Sequence, residues 1–187
     1  MRMYCTKTGI RGLIEVNTEP HVDERGFLTR LYDKKIFSDF GVDADLVQQT
    51  LQISKKKNTL RGLHVSLPPS TEGKMLTVIK GEVFWVAVDV RKGSTTFGKW
   101  VSVILSGEKN NILFAEPGFA HGCLSLTDDA YLLANASNYF SDEHSSGIIW
   151  NDGDLNIDWP LEDEPVISKA HLEYGPFKDF VEKYGGV

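Results

Sequence analysis

The sequence lacks the features that mark membrane, disulfide-rich and nucleic-acid-binding proteins. No stretch of 18 consecutive apolar residues occurs, and the N-terminal segment has no apolar signal-peptide core. Only two cysteines, Cys5 and Cys123, are present, which is too few for a disulfide framework. The formal charge of −6 argues against a nucleic-acid-binding surface. We therefore expect a cytoplasmic protein with no nucleic-acid or membrane partner.

Several common catalytic motifs are also missing. The chain contains no G-x-G-x-x-G or G-x-x-x-x-G-K-[ST] sequence, so it predicts neither a dinucleotide-binding fold nor a P-loop. It has no G-x-S-x-G turn, and neither cysteine has the surroundings of a nucleophile. The sequence therefore indicates neither a Rossmann-type cofactor site nor a serine or cysteine nucleophile.

Short strand patterns fill most of the chain, whereas helical patterns are few. Alternation and β-branched runs predict strands at Phe27–Tyr32, Leu46–Ile53, Thr59–Val65, Met75–Lys80, Glu82–Val90, Trp100–Leu105, Asn111–Ala115, Gly122–Leu126 and Ala130–Ala136. Short helices are predicted at Asp33–Phe40 and Pro176–Tyr184. Many short strands at this spacing are typical of an antiparallel sandwich or jelly roll. We expect one all-β domain over residues 1–187.

The segment Leu60–His64 and the nearby Lys74 carry the clearest chemical signal. An imidazole with an ordinary pKa of about 6.5 is a suitable general base at neutral pH. Arg61 and Lys74 could hold an anionic substrate or a developing oxyanion. Strict alternation places Gly62 and His64 on one face of the strand and Arg61 on the other. The combination favours proton abstraction next to a carbonyl group.

Metal binding is the main competing interpretation for a histidine-bearing jelly roll. The metal-binding cupin pattern needs H-x-H, a glutamate shortly afterwards and a distant third histidine, but His64 is followed by Val65 and Ser66. Only the segment Pro117–His121 resembles the second half of that pattern, and His121 there could equally anchor a turn. Two candidate ligands are too few for a zinc or iron site. We therefore expect neither a metal nor any other cofactor.

The ordered motifs of the chain resemble those of the dTDP-4-dehydrorhamnose 3,5-epimerase family. The resemblance covers about residues 8 to 168 and rests on Asp23–Phe27, Leu60–His64, Gly73-Lys74, Gly81–Phe84, Val86–Asp89, Gly93–Trp100, Pro117–Gly122, Gly147–Asp152 and Ile157–Pro160. It implies a cupin jelly roll that works without metal or cofactor. It also implies a homodimer that exchanges N-terminal strands.

The resemblance implies a catalytic pair and four substrate-binding residues. His64 would take the proton α to the C4 ketone of a nucleotide-linked sugar, and Lys74 would stabilise the enolate oxygen. The substrate-binding residues would be Arg61 and His121 in the sugar pocket, Gln48 at the nucleotide, and Arg25 of the partner subunit at the diphosphate.

The chain departs from the family pattern mainly at pocket positions. Ala134 stands where the family has its proton-donor tyrosine, and His171 stands where an aspartate supports the catalytic histidine. Further departures are Arg30, Thr50, Trp85 and Ala170. Tyr131 and Tyr139 lie near Ala134 in sequence, but odd spacing places them on the opposite face of a regular strand.

These departures favour a specialised member of the family. We predict a single inversion at C3 of a dTDP- or CDP-linked 4-keto-6-deoxyhexose, in the synthesis of a deoxy sugar for a polysaccharide such as O-antigen. One alternative is a catalytically silent cupin that binds a sugar nucleotide. Others are a 3,5-epimerase, a ketoisomerase or a lyase acting through the same enolate.

Overall fold

Two antiparallel sheets face each other across the main hydrophobic core of the protein. The computed structural model describes residues 1–187. Its strands are β1 (Arg2–Lys7), β2 (Leu13–Glu19), β3 (His21–Asp23), β4 (Gly26–Leu28), β5 (Gln48–Ser54), β6 (Leu60–Ser66), β7 (Lys74–Lys80), β8 (Glu82–Asp89), β9 (Trp100–Ser106), β10 (Ile112–Ala115), β11 (Phe119–Ser125), β12 (Ala130–Ala136) and β13 (Ser145–Gly147). Its helices are α1 (Lys34–Asp39), α2 (Lys169–Leu172) and α3 (Phe177–Tyr184). The predicted all-β jelly roll is confirmed.

The sheet topology separates residues that are close in sequence. One sheet has the order β1-β2-β10-β7-β12-β5, and the other has the order β13-β6-β11-β8-β9. Their inner faces share a cluster of buried residues that includes Leu76, Trp85 and Leu132. A second cluster lies on the outer face of the five-stranded sheet, where Trp159 and Phe180 of the C-terminal segment cover Val86 and Val88. Both faces of that sheet are therefore fixed by packing.

Most predicted elements are present with ends that differ by a few residues. The main error is the predicted strand Phe27–Tyr32, of which only Phe27 and Leu28 lie in a strand, the short β4 that pairs with β3 in a separate hairpin. The segment β1 to β2 was not predicted, and β1 pairs with β2 from an edge position where most of its side chains are exposed. An edge strand with exposed side chains needs little apolar alternation, so its sequence gives only a weak strand signal. No helix of the structure is both long and apolar enough to cross a membrane.

Candidate active site

A cavity of about 180 Å³ opens between the two sheets. The six-stranded sheet contributes Thr50, Gln52, Lys74, Leu76, Leu132 and Ala134, and the five-stranded sheet contributes Arg61, His64, Trp85, His121, Gly122 and Cys123. Sites that enclose a drug-sized ligand usually measure about 300–1,000 Å³. The cavity therefore has room for one part of a large ligand, such as a sugar ring.

A bulge in β6 places Arg61 and His64 on the same side of the sheet. His121 of β11 pairs with His64, whereas Cys123 pairs with Arg61, so three steps along β6 oppose two steps along β11. An extra residue of this kind reverses the alternation of side chains. The prediction that Arg61 and His64 lie on opposite faces was therefore wrong.

Glycine is required at position 62 for the bulge to form. Gly62 has φ of +109°, and a Cβ there would lie 2.6 Å from backbone atoms of β11. A side chain would have no space between the two strands, and its backbone conformation would also be strained. The spacing between the two basic residues therefore depends on this glycine.

His64 is held in contact with a second imidazole. Its Nε2 lies 2.9 Å from Nε2 of His171, and the two ring centroids are 4.7 Å apart. Burial, together with the neighbouring His171, Lys74 and Arg61, lowers the pKa of His64 to about 4. The ring is therefore uncharged at neutral pH and able to accept a proton.

His121 lies inside β11 and not in a turn, which corrects the sequence-based interpretation. Its ring stacks on Trp85 with centroids 5.6 Å apart and an interplanar angle of 15°. Burial holds the pKa of His121 well below its usual value, with smaller contributions from Lys74 and His64. It is therefore a neutral hydrogen-bonding group in the wall of the cavity.

The two cations of the cavity differ in how they are compensated. The ammonium of Lys74 lies 2.7 Å from the carboxylate of Glu72, which is 5% exposed and also accepts a hydrogen bond from Ser66. Arg61 has no carboxylate partner, donates one long bond of 3.4 Å to the carbonyl of Ile53, and has a buried Nε without a partner. Arg61 is therefore the group with unused capacity to bind an anion or a carbonyl oxygen.

The wall opposite His64 carries no phenol. Ala134 and Thr50, which pair across β12 and β5, line the cavity there with Gln52. Tyr131 lies outside the cavity, with the ammonium of Lys80 5.4 Å from its ring centroid, and Tyr139 is 68% exposed. Neither tyrosine occupies the space above Ala134.

Two of the predicted substrate-binding residues lie outside the cavity of their own chain. Arg25 is exposed in the β3–β4 hairpin, where it pairs with Asp23. Gln48 lies at the start of β5, and its side-chain oxygen accepts a hydrogen bond from the backbone of Phe140. The structure thus brings together His64, Lys74, Arg61 and His121, and leaves Arg25 and Gln48 apart from them.

Several site residues had no individual signal in the sequence. Gln52 donates a hydrogen bond to the buried thiol of Cys123 inside the cavity, and Tyr174 stacks on His171. Only Glu72 could have been found, because it precedes Lys74 by two residues and so points to the same side of an extended chain.

The fold and the cavity define the class of protein. In one cavity of an antiparallel β-sandwich, an uncharged histidine can take a proton next to a carbonyl while a lysine and an uncompensated arginine stabilise the oxyanion, which is the chemistry of an isomerase. The family model for dTDP-4-dehydrorhamnose 3,5-epimerase matches residues 7–179. The chain belongs to this family of sugar-nucleotide epimerases.

Individual relatives are similar over nearly their whole length. The dTDP-4-dehydrorhamnose 3,5-epimerase of Methanothermobacter thermautotrophicus is 38% identical over 92% of this chain and 94% of its own. The crystal structure of the Bacillus anthracis enzyme, with TDP and pyrophosphate bound, is 32% identical, with a TM-score of 0.91 over 94% of this chain and 99% of that one. A 3'-monoepimerase of Streptomyces bikiniensis in complex with dTDP-quinovose is 31% identical, with a TM-score of 0.87 over 95% and 89%.

Proposed function

We propose that this protein epimerises a nucleotide-linked 4-keto-6-deoxyhexose and inverts C3 alone. The observation that carries the proposal is the asymmetry of the cavity, with His64 on one wall and Ala134 in place of an acid on the other. Inversion needs a proton removed from one face and returned to the other. Apart from Lys74, which is assigned to the C4 oxygen, the polar groups of that wall are Thr50 and Gln52. Without a phenol, it serves fewer proton transfers.

The residues of the cavity can each take one part in this reaction. His64 removes the proton from C3, and the electron pair moves to the oxygen at C4, where the ammonium of Lys74 stabilises the enolate. Arg61 and His121 hold the sugar hydroxyls or the carbonyl oxygen. Water above Ala134 returns a proton to the opposite face of C3. The product supplies a deoxy sugar for a polysaccharide of the cell surface.

The nucleotide is proposed to be dTDP. The relatives that bear the family name act on dTDP sugars, and the bacterial structures hold TDP or a dTDP sugar. Thr50 stands where the family has asparagine, and this departure leaves a CDP sugar as the alternative. Gln48 would contact the base from the edge of the same strand.

Solvent deuterium exchange followed by NMR tests the proposal. With dTDP-4-keto-6-deoxyglucose in D₂O, we expect deuterium at C3 only, together with one new stereoisomer. Ala134→Tyr should extend exchange to C5, because it adds a phenol to the empty wall. Ala134→Phe, which fills the same space without the hydroxyl, should not.

The other outcomes identify the competing functions. Exchange at C3 and C5 in the unaltered protein would show a 3,5-epimerase, and migration of the carbonyl group would show a ketoisomerase. Absence of exchange with both dTDP and CDP sugars would leave a sugar-nucleotide-binding protein. One observation favours this binding function: the residue that contacts His64, residue 171, is a histidine and not a carboxylate.

We also propose a homodimer in which Arg25 completes the partner's site. Three apolar residues of the β3–β4 hairpin are exposed to solvent: Val22 is 71% exposed, Phe27 60% and Leu28 63%. Phe27 shares a surface cavity with Ile79 and Lys80 at the far end of β7, about 20 Å of extended strand from Lys74. Arg25 of the same chain is thus at the wrong end of the sheet to meet a ligand beside Lys74.

Mixed dimers test this arrangement. A dimer of one Arg25→Ala subunit and one His64→Asn subunit contains one complete site if Arg25 acts across the interface, so we expect about half of the normal activity. Loss of all activity would show that Arg25 acts within its own chain. Sedimentation equilibrium that gives a monomer would contradict the dimer itself.

A further inference from the structure

We infer that His171 is a positioning residue that holds His64 and shares its proton, so that the base of this site is a pair of imidazoles. This inference rests on the proposed function, because it describes how the same base works. The direct observation is the separation of 2.9 Å between the two Nε2 atoms. At that distance one ring must donate a proton and the other must accept it.

The ring of His171 is fixed from several directions. His171 lies on α2, and its backbone N–H donates to the side chain of the capping residue Ser168. Tyr174 stacks on the ring with centroids 5.4 Å apart and an angle of 24°. Gly147 leaves the space for Tyr174, since a Cβ there would lie 2.2 Å from the phenol ring. The local chain is thus arranged to present one nitrogen of His171 to His64.

The hydrogen bonds define two tautomeric arrangements of the pair. In the first, the backbone N–H of Gly62 donates to Nδ1 of His171, whose Nε2–H then donates to His64, so that His64 carries its own proton on Nδ1. In the second, His64 donates from Nε2, and its Nδ1 is left with a free lone pair. In this second arrangement His171 carries its proton on Nδ1, so the long 3.5 Å bond from Gly62 is lost and two N–H groups face each other, which makes it the less stable of the two.

Only the second arrangement makes His64 a base toward the cavity. Nε2 is occupied by His171, and Nδ1 has no hydrogen-bond partner in the protein. When Nδ1 takes the proton from C3, the C3–H bond breaks, its electron pair moves to the C4 oxygen, and His64 becomes an imidazolium. Its Nε2 proton can then move to Nε2 of His171. His171 therefore sets the tautomer and shares the added charge.

The surroundings oppose a positive charge on the pair. The titratable and charged groups that face the two rings are Arg61 from β6, Lys74 from β7, His121 from β11 and Tyr174 after α2. Glu72 binds Lys74 and Ser66 through Oε1, and its buried Oε2 has no hydrogen-bond partner. With no carboxylate hydrogen-bonded to either ring, the imidazole pair holds an added proton less tightly than a histidine–carboxylate pair would.

Two substitutions with side chains of equal length separate the effect of charge at residue 171 from the effect of packing. His171→Glu can bring a carboxylate to the distance of the present Nε2, and His171→Gln brings a neutral amide. In full-length protein with ¹⁵N-labelled histidines, the titration of His64 is followed by NMR and assigned by its loss in His64→Asn. We expect a midpoint below the ordinary 6.5 in the unaltered protein and a rise of about 1–3 pH units in His171→Glu. His171→Gln should stay within a few tenths of a unit of the unaltered protein.

The rate of deuterium exchange at C3 should follow the same midpoints. The acid limb of the pH–rate profile should move to higher pH in His171→Glu but not in His171→Gln. His171→Gln should also exchange about tenfold more slowly than the unaltered protein, because its amide cannot share the proton. Identical titrations in the two variants would overturn the imidazole pair. If the NMR midpoints separate but no sugar nucleotide exchanges, the pair is supported and the proposed function fails. If exchange occurs while the midpoints coincide, the function is supported and the pair fails.

Discussion

Replacing His64 with asparagine should reduce the rate of deuterium exchange at C3 by about 10²–10⁴-fold, which is the usual contribution of a general base. Asparagine keeps a polar side chain toward His171 but cannot accept a proton from carbon. The loss should fall on kcat, because the remaining cavity groups still hold the sugar nucleotide. Steady-state kinetics and single-turnover NMR in D₂O measure both quantities.

His144 provides a matched control for this substitution. It is also a partly buried histidine bound through side-chain hydrogen bonds, in this case to Ser70 and Ser141, but it does not line the cavity. His144→Asn should leave the rate of exchange close to that of the unaltered protein. An unchanged rate in His64→Asn would show that another group removes the proton, and the proposed assignment of the base would be wrong.

The architecture could be predicted because each strand of the sandwich carries its own pattern. β8 and β12 alternate or run apolar over seven or eight residues, and turn residues such as Gly81 separate them from their neighbours. The hairpin around Arg25 was predicted less well, since its strands pair with neither large sheet and its side chains carry no burial signal. Periodicity therefore identified the elements that form the core and missed those at its margins.

From the sequence, individual residues of the site could be predicted, but the contacts between them could not. His64 and Lys74 lie in recognisable motifs, and the structure places both in one cavity. The side that Arg61 faces depends on a bulge between β6 and β11, which a strict alternation of residues cannot show. The contact between His64 and His171 joins residues 107 positions apart. Its existence depends on the docking of α2 against β6, which no local pattern in either segment specifies.

Removal of the Lys74 ammonium should cost roughly 3–4 kcal/mol of transition-state stabilisation, equivalent to about 10²–10³-fold in rate. Lys74→Met keeps the length of the side chain and deletes the charge that would face the enolate oxygen. It also leaves the carboxylate of Glu72 buried without its partner, which by itself destabilises a protein by about 3–5 kcal/mol. The single substitution therefore combines a catalytic and a structural effect.

The double variant Lys74→Met, Glu72→Gln separates the two effects. It removes both charges together, so the free energy of unfolding, measured by urea denaturation, should recover most of the loss. Exchange at C3 should remain about 10²–10³-fold slow, because the oxyanion still lacks its cation. Recovery of exchange in the double variant would show that Lys74 only neutralises Glu72. In that case Arg61, which has no carboxylate partner and a free buried Nε, would be the cation that stabilises the enolate.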